Sequence, residues 1–145
     1  FLCHLFRFEI PAVTVGFRAM TPVAIVGANG YVGEELVRLL AGHPHARIAA
    51  VTSRQHAGKP VGDVLPKLNG HPGICGLSFS ASEVEGLLET GAEFYFLALP
   101  HGLAAEFAKP LVEAGQREID LSADFRLRSA DRYLEFYGEV HPAPE

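Results

Sequence analysis

Gly27, Gly30 and Gly33 recur at three-residue spacing immediately after the β-branched run Val23-Ala24-Ile25-Val26, and they lead into an amphipathic stretch. A strand that turns through spaced glycines into a helix has the makings of a pyrophosphate site. The first glycine lets the chain leave the strand sharply, the second lets backbone N–H groups approach an anion with no side chain between, and the third lets the helix pack close to the strand. The first helical turn adds unpaired N–H groups and a positive dipole end. The candidate anion-binding residues are therefore Gly27, Ala28, Asn29, Gly30, Tyr31, Val32 and Gly33. Because the spacing is G-x-x-G-x-x-G rather than G-x-G-x-x-G, the flanking strand and helix carry the assignment more than the glycines do.

A dinucleotide site of this kind places a residue about 20 positions past the last glycine against the adenosine ribose, and an acid there binds the 2′-hydroxyl of NAD. Counting on from Gly33 reaches Ser53, followed by Arg54, at the end of the apolar run Ile48-Ala49-Ala50-Val51-Thr52. A hydroxyl and a guanidinium suit a 2′-phosphate, which an aspartate would repel, so NADP is the cofactor expected. The alternative for Arg54 is a solvated loop arginine.

These residues need elements to hold them. Val32, Leu36, Leu39 and Leu40 are expected on the inner face of a first helix, with Glu34 and Arg38 paired outside and a stop at Gly42-His43-Pro44. The stretch from Gln55 to Gly76 reads as a long loop whose length argues for a functional or packing role. Leu77-Ser78-Phe79 reads as a short third strand, and Ser82-x-x-Glu85 as the capping box of a helix that carries Val84, Leu87 and Leu88 and ends at Gly91. The run from Phe94 to Leu99 has the continuous apolarity of a central parallel strand, closed by Pro100. A helix from His101 to Gly115, with Leu103, Phe107, Leu111 and Val112 inward and Pro110 within it, precedes a strand from Glu118 to Leu121. Ser129 then caps a helix through Tyr137. Alternating strands and helices with right-handed crossovers give an α/β fold built on a doubly wound parallel sheet of Rossmann type.

Composition narrows the function classes. With 48% hydrophobic and 20% charged residues, a chain of 145 residues can bury one ordinary core. The 12 Lys and Arg are scattered, and the formal net charge is −5, so the basic stripe needed by a nucleic-acid partner is missing. No uncharged apolar run has the length of a membrane span. Cys3 and Cys75 form no disulfide framework and no C-x-x-C pair, which fits a reducing cytoplasm. The histidines are dispersed, and neither His43-x-His45 nor His71 with Cys75 has further ligands beside it, so no metal is expected. The chain opens on Phe1, and Met20 stands just before the first strand. Residues 1–20 are accordingly expected to be an N-terminal extension, and residues 21–145 a dinucleotide-binding domain truncated at its C-terminal end.

Three segments carry a family resemblance. The glycine turn Gly27 to Gly33, the segment Phe96-Leu97-Ala98-Leu99-Pro100-His101-Gly102, and Ile119-Asp120-Leu121-Ser122-Ala123-Asp124-Phe125-Arg126 occur here in the order in which N-acetyl-gamma-glutamyl-phosphate reductases have them. Thr52-Ser53-Arg54, Ala57-Gly58-Lys59, Tyr133, Tyr137-Gly138 and His141 add to the match, so residues 22–145 resemble the amino-terminal, NADP-binding half of that family, within the semialdehyde dehydrogenase superfamily. The resemblance implies NADPH-dependent reduction of an acyl phosphate to its semialdehyde in arginine biosynthesis. Related families act on aminoadipyl and aspartyl phosphates. A non-catalytic dinucleotide-sensing module is the alternative from another class.

In the family, a cysteine thiolate attacks the acyl phosphate to form a thioester, which hydride then reduces. That cysteine lies in an Asn-Pro-Gly-Cys-Tyr-Pro-Thr segment with a base histidine further on, and neither motif occurs in this sequence. Pro72-Gly73-Ile74-Cys75 has an extra residue and precedes the Ser-Ala-Asp-Phe-Arg string, so Cys75 reads as a loop or core residue and no catalytic residue is assigned. Arg126, at the carboxyl edge of the sheet, is the candidate grip for the substrate phosphate, its alternative being a surface pair with Asp124. Pro100 is placed beside the nicotinamide path. Ser122 is placed either there or in a turn cap, His101 either as a proton donor or in packing, and Asp120 and Asp124 in strand-end turns. The partner expected is a small-molecule acyl phosphate, and a homo-oligomer is expected of the full-length enzyme.

Overall fold

The computed structural model describes residues 19–144. The expected extension over residues 1–20 thus lies almost wholly outside the described residues. Five parallel strands form one sheet in the order β3-β2-β1-β4-β5: β1 Thr21–Val26, β2 Ala46–Thr52, β3 Phe79–Ser80, β4 Phe94–Leu97 and β5 Arg117–Asp120. The helices are α1 Tyr31–Ala41, α2 Val61–Val64, α3 Val84–Glu89, α4 Ala105–Glu113 and α5 Ala130–Tyr137. The doubly wound sheet expected from the alternation is present, and the order reverses at β1, where the next strand lies on the opposite side.

Alternation along β1 divides the core in two. Val23 and Ile25 face one layer with Val37, Ile48, Val51 and Phe79, while Ala24 and Val26 face the other with Leu87, Tyr95, Leu97 and Phe107. β4 behaves likewise, since Tyr95 and Leu97 join the second layer and Phe94 and Phe96 pack against the first. The long segment after β2 is a packing element. Through α2 and 3₁₀ turns at Pro66–Leu68 and Pro72–Ile74, it delivers Val61, Leu65, Leu68 and Ile74 to the first layer.

Several local expectations need correction. In α1 the inner face is Gly33 and Val37, with Leu36 and Leu40 partly buried, while Val32 and Leu39 are exposed. The helix starts at Tyr31 after an extended Gly30, and the packing of Gly33 on Gly27 and Ala28 sets the inward row. Arg38 pairs with Glu35 rather than Glu34, and Glu34 lies 3.6 Å from Lys67. β3 begins at Phe79, not Leu77, because Leu77 is drawn into the preceding loop by hydrogen bonds from its own N–H to Ile74 and from Val61 to its carbonyl. The capping box at α3 does not form: Glu83 occupies the N-cap, and the Ser82 hydroxyl donates to Thr52 Oγ1 at 2.9 Å. α4 starts at Ala105, not His101, and Val112 is exposed. β5 ends at Asp120, one residue before the expected end. Ser129 does cap α5, accepting from the Arg132 N–H.

The approach of α1 to β1 leaves no space for a side chain. A Cβ at Gly33 would lie 2.3 Å from the Gly27 carbonyl oxygen and 2.6 Å from Ala28 Cα, both backbone atoms that cannot swing away. Gly33→Ala is therefore expected to destabilise the domain by about 3 kcal/mol, the upper end for overpacking. Gly86→Ala, in α3 with open space around the new methyl, is expected to stabilise by up to about 1 kcal/mol. Urea unfolding of the two variants checks the opposite signs.

Candidate functional site

The carboxyl ends of the strands converge on one edge of the sheet, and most of the candidate residues stand there. Gly27 turns the chain out of β1 with φ +81°, and a Cβ there would meet the Ala98 carbonyl oxygen at 2.6 Å. The turn is fixed from the neighbouring strand: Gly27 N–H donates to Thr52 Oγ1 at 3.3 Å and Ala28 N–H to the Thr52 carbonyl at 3.0 Å. Ala28 is fully buried in the first core layer, so its side chain shapes the turn from inside. Gly30 N–H folds back onto the Gly27 carbonyl and its own carbonyl accepts from Glu34, leaving Tyr31, Val32 and Gly33 as the first-turn donors without intrahelical acceptors. Tyr31 is 97% exposed. Gly30, Tyr31 and Val32 line a cavity of about 220 Å³ together with Ala98, Leu99, Pro100 and Leu121. The glycine turn and Pro100 thus share one concavity.

One strand away, Ser53 is 1% exposed and its hydroxyl accepts from the N–H groups of Gln55 and His56, both at 3.2 Å. Ser53 thereby holds the turn that carries Arg54. The Arg54 side chain is exposed, and its Nη2 donates to Glu106 Oε2 on α4 at 2.8 Å. Loop arginine and helix carboxylate meet across the sheet edge.

On the other flank, Asp124 is fully buried, and its carboxylate accepts from Gly102 N–H at 2.7 Å, Ala104 N–H at 3.2 Å and Ala105 N–H at 3.4 Å. This caps the start of α4 from 20 residues downstream and sets a negative charge on its dipole. Tyr133, also fully buried, donates its hydroxyl to Asp124 Oδ1 at 3.1 Å. Burial, and after it this contact, push the phenol above its ordinary pKa, so it stays a donor. His141 completes the group. Its Nδ1 accepts from Ala143 N–H, which leaves Nε2 to donate to the Asp124 carbonyl.

Ser122 caps a turn: its N–H and hydroxyl both donate to the Asp120 carboxylate, and its oxygen accepts from Asp124 N–H. Asp120 and Asp124 both act at the strand end, as expected, although Asp124 reaches much further than its own turn. The Arg126–Asp124 pair considered from the sequence is absent, because Asp124 is turned inward onto backbone donors. Arg126 is exposed, and its Nη2 donates to the Leu121 carbonyl at 3.4 Å, beside the cavity that Leu121 lines. His101 stacks on Tyr137 with ring centroids 6.3 Å apart. Cys75 is exposed rather than in the core, next to a 3₁₀ turn that packs on the last turn of α1 through Gly73 and Ala41. That last turn lies about 15 Å along the helix axis from the first.

Thr52, Glu106 and His141 organise the edge without a spacing signal of their own. Only the position of Thr52 at the end of an apolar run, next to Ser53, hints at its role.

Removing the Asp124 carboxylate would strand several buried donors at once. Asp124→Ala is expected to cost at least about 3 kcal/mol, whereas Tyr133→Phe, which removes one donor and leaves the carboxylate bonded to backbone, is expected to cost about 1 kcal/mol. Chemical denaturation of both variants tests the order, and a loss for Asp124→Ala no larger than that of Tyr133→Phe would refute it.

Residues 22–142 match the family described as semialdehyde dehydrogenase, NAD binding domain. The chain is 54% identical over 120 residues, 83% of its length, to an N-acetyl-gamma-glutamyl-phosphate reductase of Akkermansia muciniphila, and 48% identical over 126 residues, 87% of its length, to one of Pseudomonas fluorescens Pf0-1. It spans about a third of these relatives, 34% and 36% respectively. Among solved structures, aspartate semialdehyde dehydrogenase with NADP from Candida albicans superposes with a TM-score of 0.62 at 20% identity, covering 84% of this chain and 40% of that one, a likeness of fold. With 121 consecutive positions matched, from 22 to 142, the chain belongs to the semialdehyde dehydrogenase NAD-binding domain family.

Proposed function

We propose that this chain is the cofactor-binding part of an NADPH-dependent reductase that converts an acyl phosphate, N-acetylglutamyl phosphate, to its semialdehyde in arginine biosynthesis. The observation that carries this reading is the arrangement along one sheet edge: Arg54 after β2, the glycine turn after β1 and Arg126 after β5. β2 and β5 are three strand spacings apart, roughly 14 Å, a crevice that an extended dinucleotide crosses. The relatives' names point to the same reaction.

The residues present fit the cofactor. Gly30 has ordinary extended backbone, φ −82° and ψ 167°, and room for a Cβ, so the fold itself does not demand glycine there. A phosphate approaching the first turn of α1 does. Tyr31, Val32 and Gly33 would present N–H groups to it, Gly27 and Ala28 shape the turn, and Asn29 borders it. Arg54 would take the 2′-phosphate on a loop that Ser53 holds in place. Pro100 and Ser122 would border the nicotinamide end, and Arg126 would grip the phosphate of the substrate. Bound NADPH would supply the hydride. Cys75 is not the nucleophile of this reading, since the turn before it packs on the last turn of α1, at the far end of that helix from the first turn. The substrate is a small acyl phosphate, the cell compartment cytoplasmic, and the full-length enzyme a homo-oligomer. No helix among the described residues is long and apolar enough to cross a membrane.

Arg54→Ala is expected to weaken NADPH binding at least about tenfold, since a charge-assisted hydrogen bond contributes roughly 1.5–3 kcal/mol, and to leave NADH binding nearly unchanged. Paired titrations check this, and equal losses for both cofactors would reject the 2′-phosphate role. In the full-length enzyme, Arg126→Lys keeps the charge but loses the two-pronged geometry, so kcat/KM for the acyl phosphate is expected to fall at least about tenfold with thermal stability near wild type. Unchanged turnover would remove Arg126 from the substrate site.

A further inference from the structure

Arg54 does not wait for its ligand as a lone cation. Its guanidinium spans from the loop after β2 to the first turn of α4, where it meets Glu106 through a single contact, Nη2 to Oε2 at 2.8 Å. We infer that Glu106 is a specificity-determining residue that competes with the 2′-phosphate for Arg54 and thereby limits the preference for NADPH over NADH. This inference rests on the 2′-phosphate role proposed for Arg54.

The geometry offers Glu106 two opposite effects. As a positioning group it would restrain the arginine and leave the Nε and Nη1 edge free for a ligand. As a competitor it would hold a negative charge within one guanidinium's width of the arriving phosphate. The restraint is weak, because one hydrogen bond joins two side chains that are each 56% exposed, and such pairs fix a long side chain poorly. The repulsion is stronger. A phosphate monoester carries a charge of about −1.5 to −2 near neutrality. The two anions, both bonded to one guanidinium, would lie well within the Debye length of about 8 Å at physiological ionic strength, so salt screens them only in part. NADH has a hydroxyl at this place and meets neither the competition nor the repulsion. Cofactor binding at this end is therefore an exchange of one anion for another on Arg54.

Glu106→Gln removes the charge and keeps the shape. In titrations of the purified protein, it is expected to tighten NADPH and the probe 2′,5′-ADP by about three- to tenfold and to leave NADH and 5′-AMP unchanged, the latter pair also verifying that the variant is folded. The gain is expected to shrink as salt is raised. No change or weaker binding for NADPH, or an equal change for both pairs of ligands, would overturn the competition. The Arg54→Ala titration separates the two levels. If Arg54→Ala affects both cofactors equally, the 2′-phosphate reading itself fails; if it weakens NADPH alone while Glu106→Gln changes nothing, only the role of Glu106 falls.

Discussion

The close approach of α1 to the end of β1 is the constraint on which the rest of the edge depends. With no Cβ at Gly33, the helix descends onto the Gly27 carbonyl and Ala28 Cα, and its first turn is held at the sheet edge rather than above it. Gly27 can make the turn only because it adopts φ +81° beside the Ala98 carbonyl, where a side chain would collide. Thr52 then fixes the turn with both its hydroxyl and its carbonyl, so the end of β2 sets the start of α1. That coupling also sets the origin of the next loop. Ser53 follows Thr52 directly, and the exit of Arg54 is therefore registered to the first turn of α1.

The other half of the edge is organised by a buried charge instead of a close contact. α4 has no side-chain cap of its own, and the Asp124 carboxylate supplies one from beyond β5 by accepting the N–H groups of Gly102, Ala104 and Ala105. A carboxylate with no exposure needs compensation, and three backbone donors, a phenol and a helix dipole provide it. Tyr133 and His141 bring α5 and the residues after it to the same point. The segment from Leu121 to Arg126 is thus tied both to the sheet and to the helices that cover it.

Much of this was legible in the sequence because periodic burial and glycine punctuation are local signals. The β-branched run of β1, the glycines after it and the Ser129 cap each act over a few residues and appear where they are read, whereas β4 starts at Phe94 as read but ends at Leu97, two residues before Leu99. Faces and starts were less legible. Val32, Leu39 and Val112 are apolar but exposed, since the packing of Gly33 on Gly27 and Ala28 and the capping of α4 by Asp124 decide which rows turn inward. Ser82 and Glu85 have capping-box spacing, yet the Ser82 hydroxyl is taken by Thr52, 30 residues away in the chain. Asp124 is the clearest case. Its sequence neighbours suggest a turn, and only the fold brings the start of α4 and Tyr133 to its oxygens.

The commitment of Asp124 to backbone donors also decides which partner Arg126 finds. A carboxylate beside a guanidinium in the same loop would ordinarily pair with it, and Arg126 would then be neutralised where it stands. Here the carboxylate points inward, and the side-chain bond of Arg126 goes to the neutral carbonyl of Leu121 at the outer limit of hydrogen-bond length. Arg54, by contrast, meets the carboxylate of Glu106. An anion arriving near β5 therefore meets an arginine in no ion pair with a described carboxylate, whereas one arriving beyond β2 must displace or tolerate a carboxylate already there. The sheet edge is asymmetric in charge although its two arginines are alike: the acid beside Arg126 is buried onto backbone donors, and the acid that faces Arg54 stays exposed.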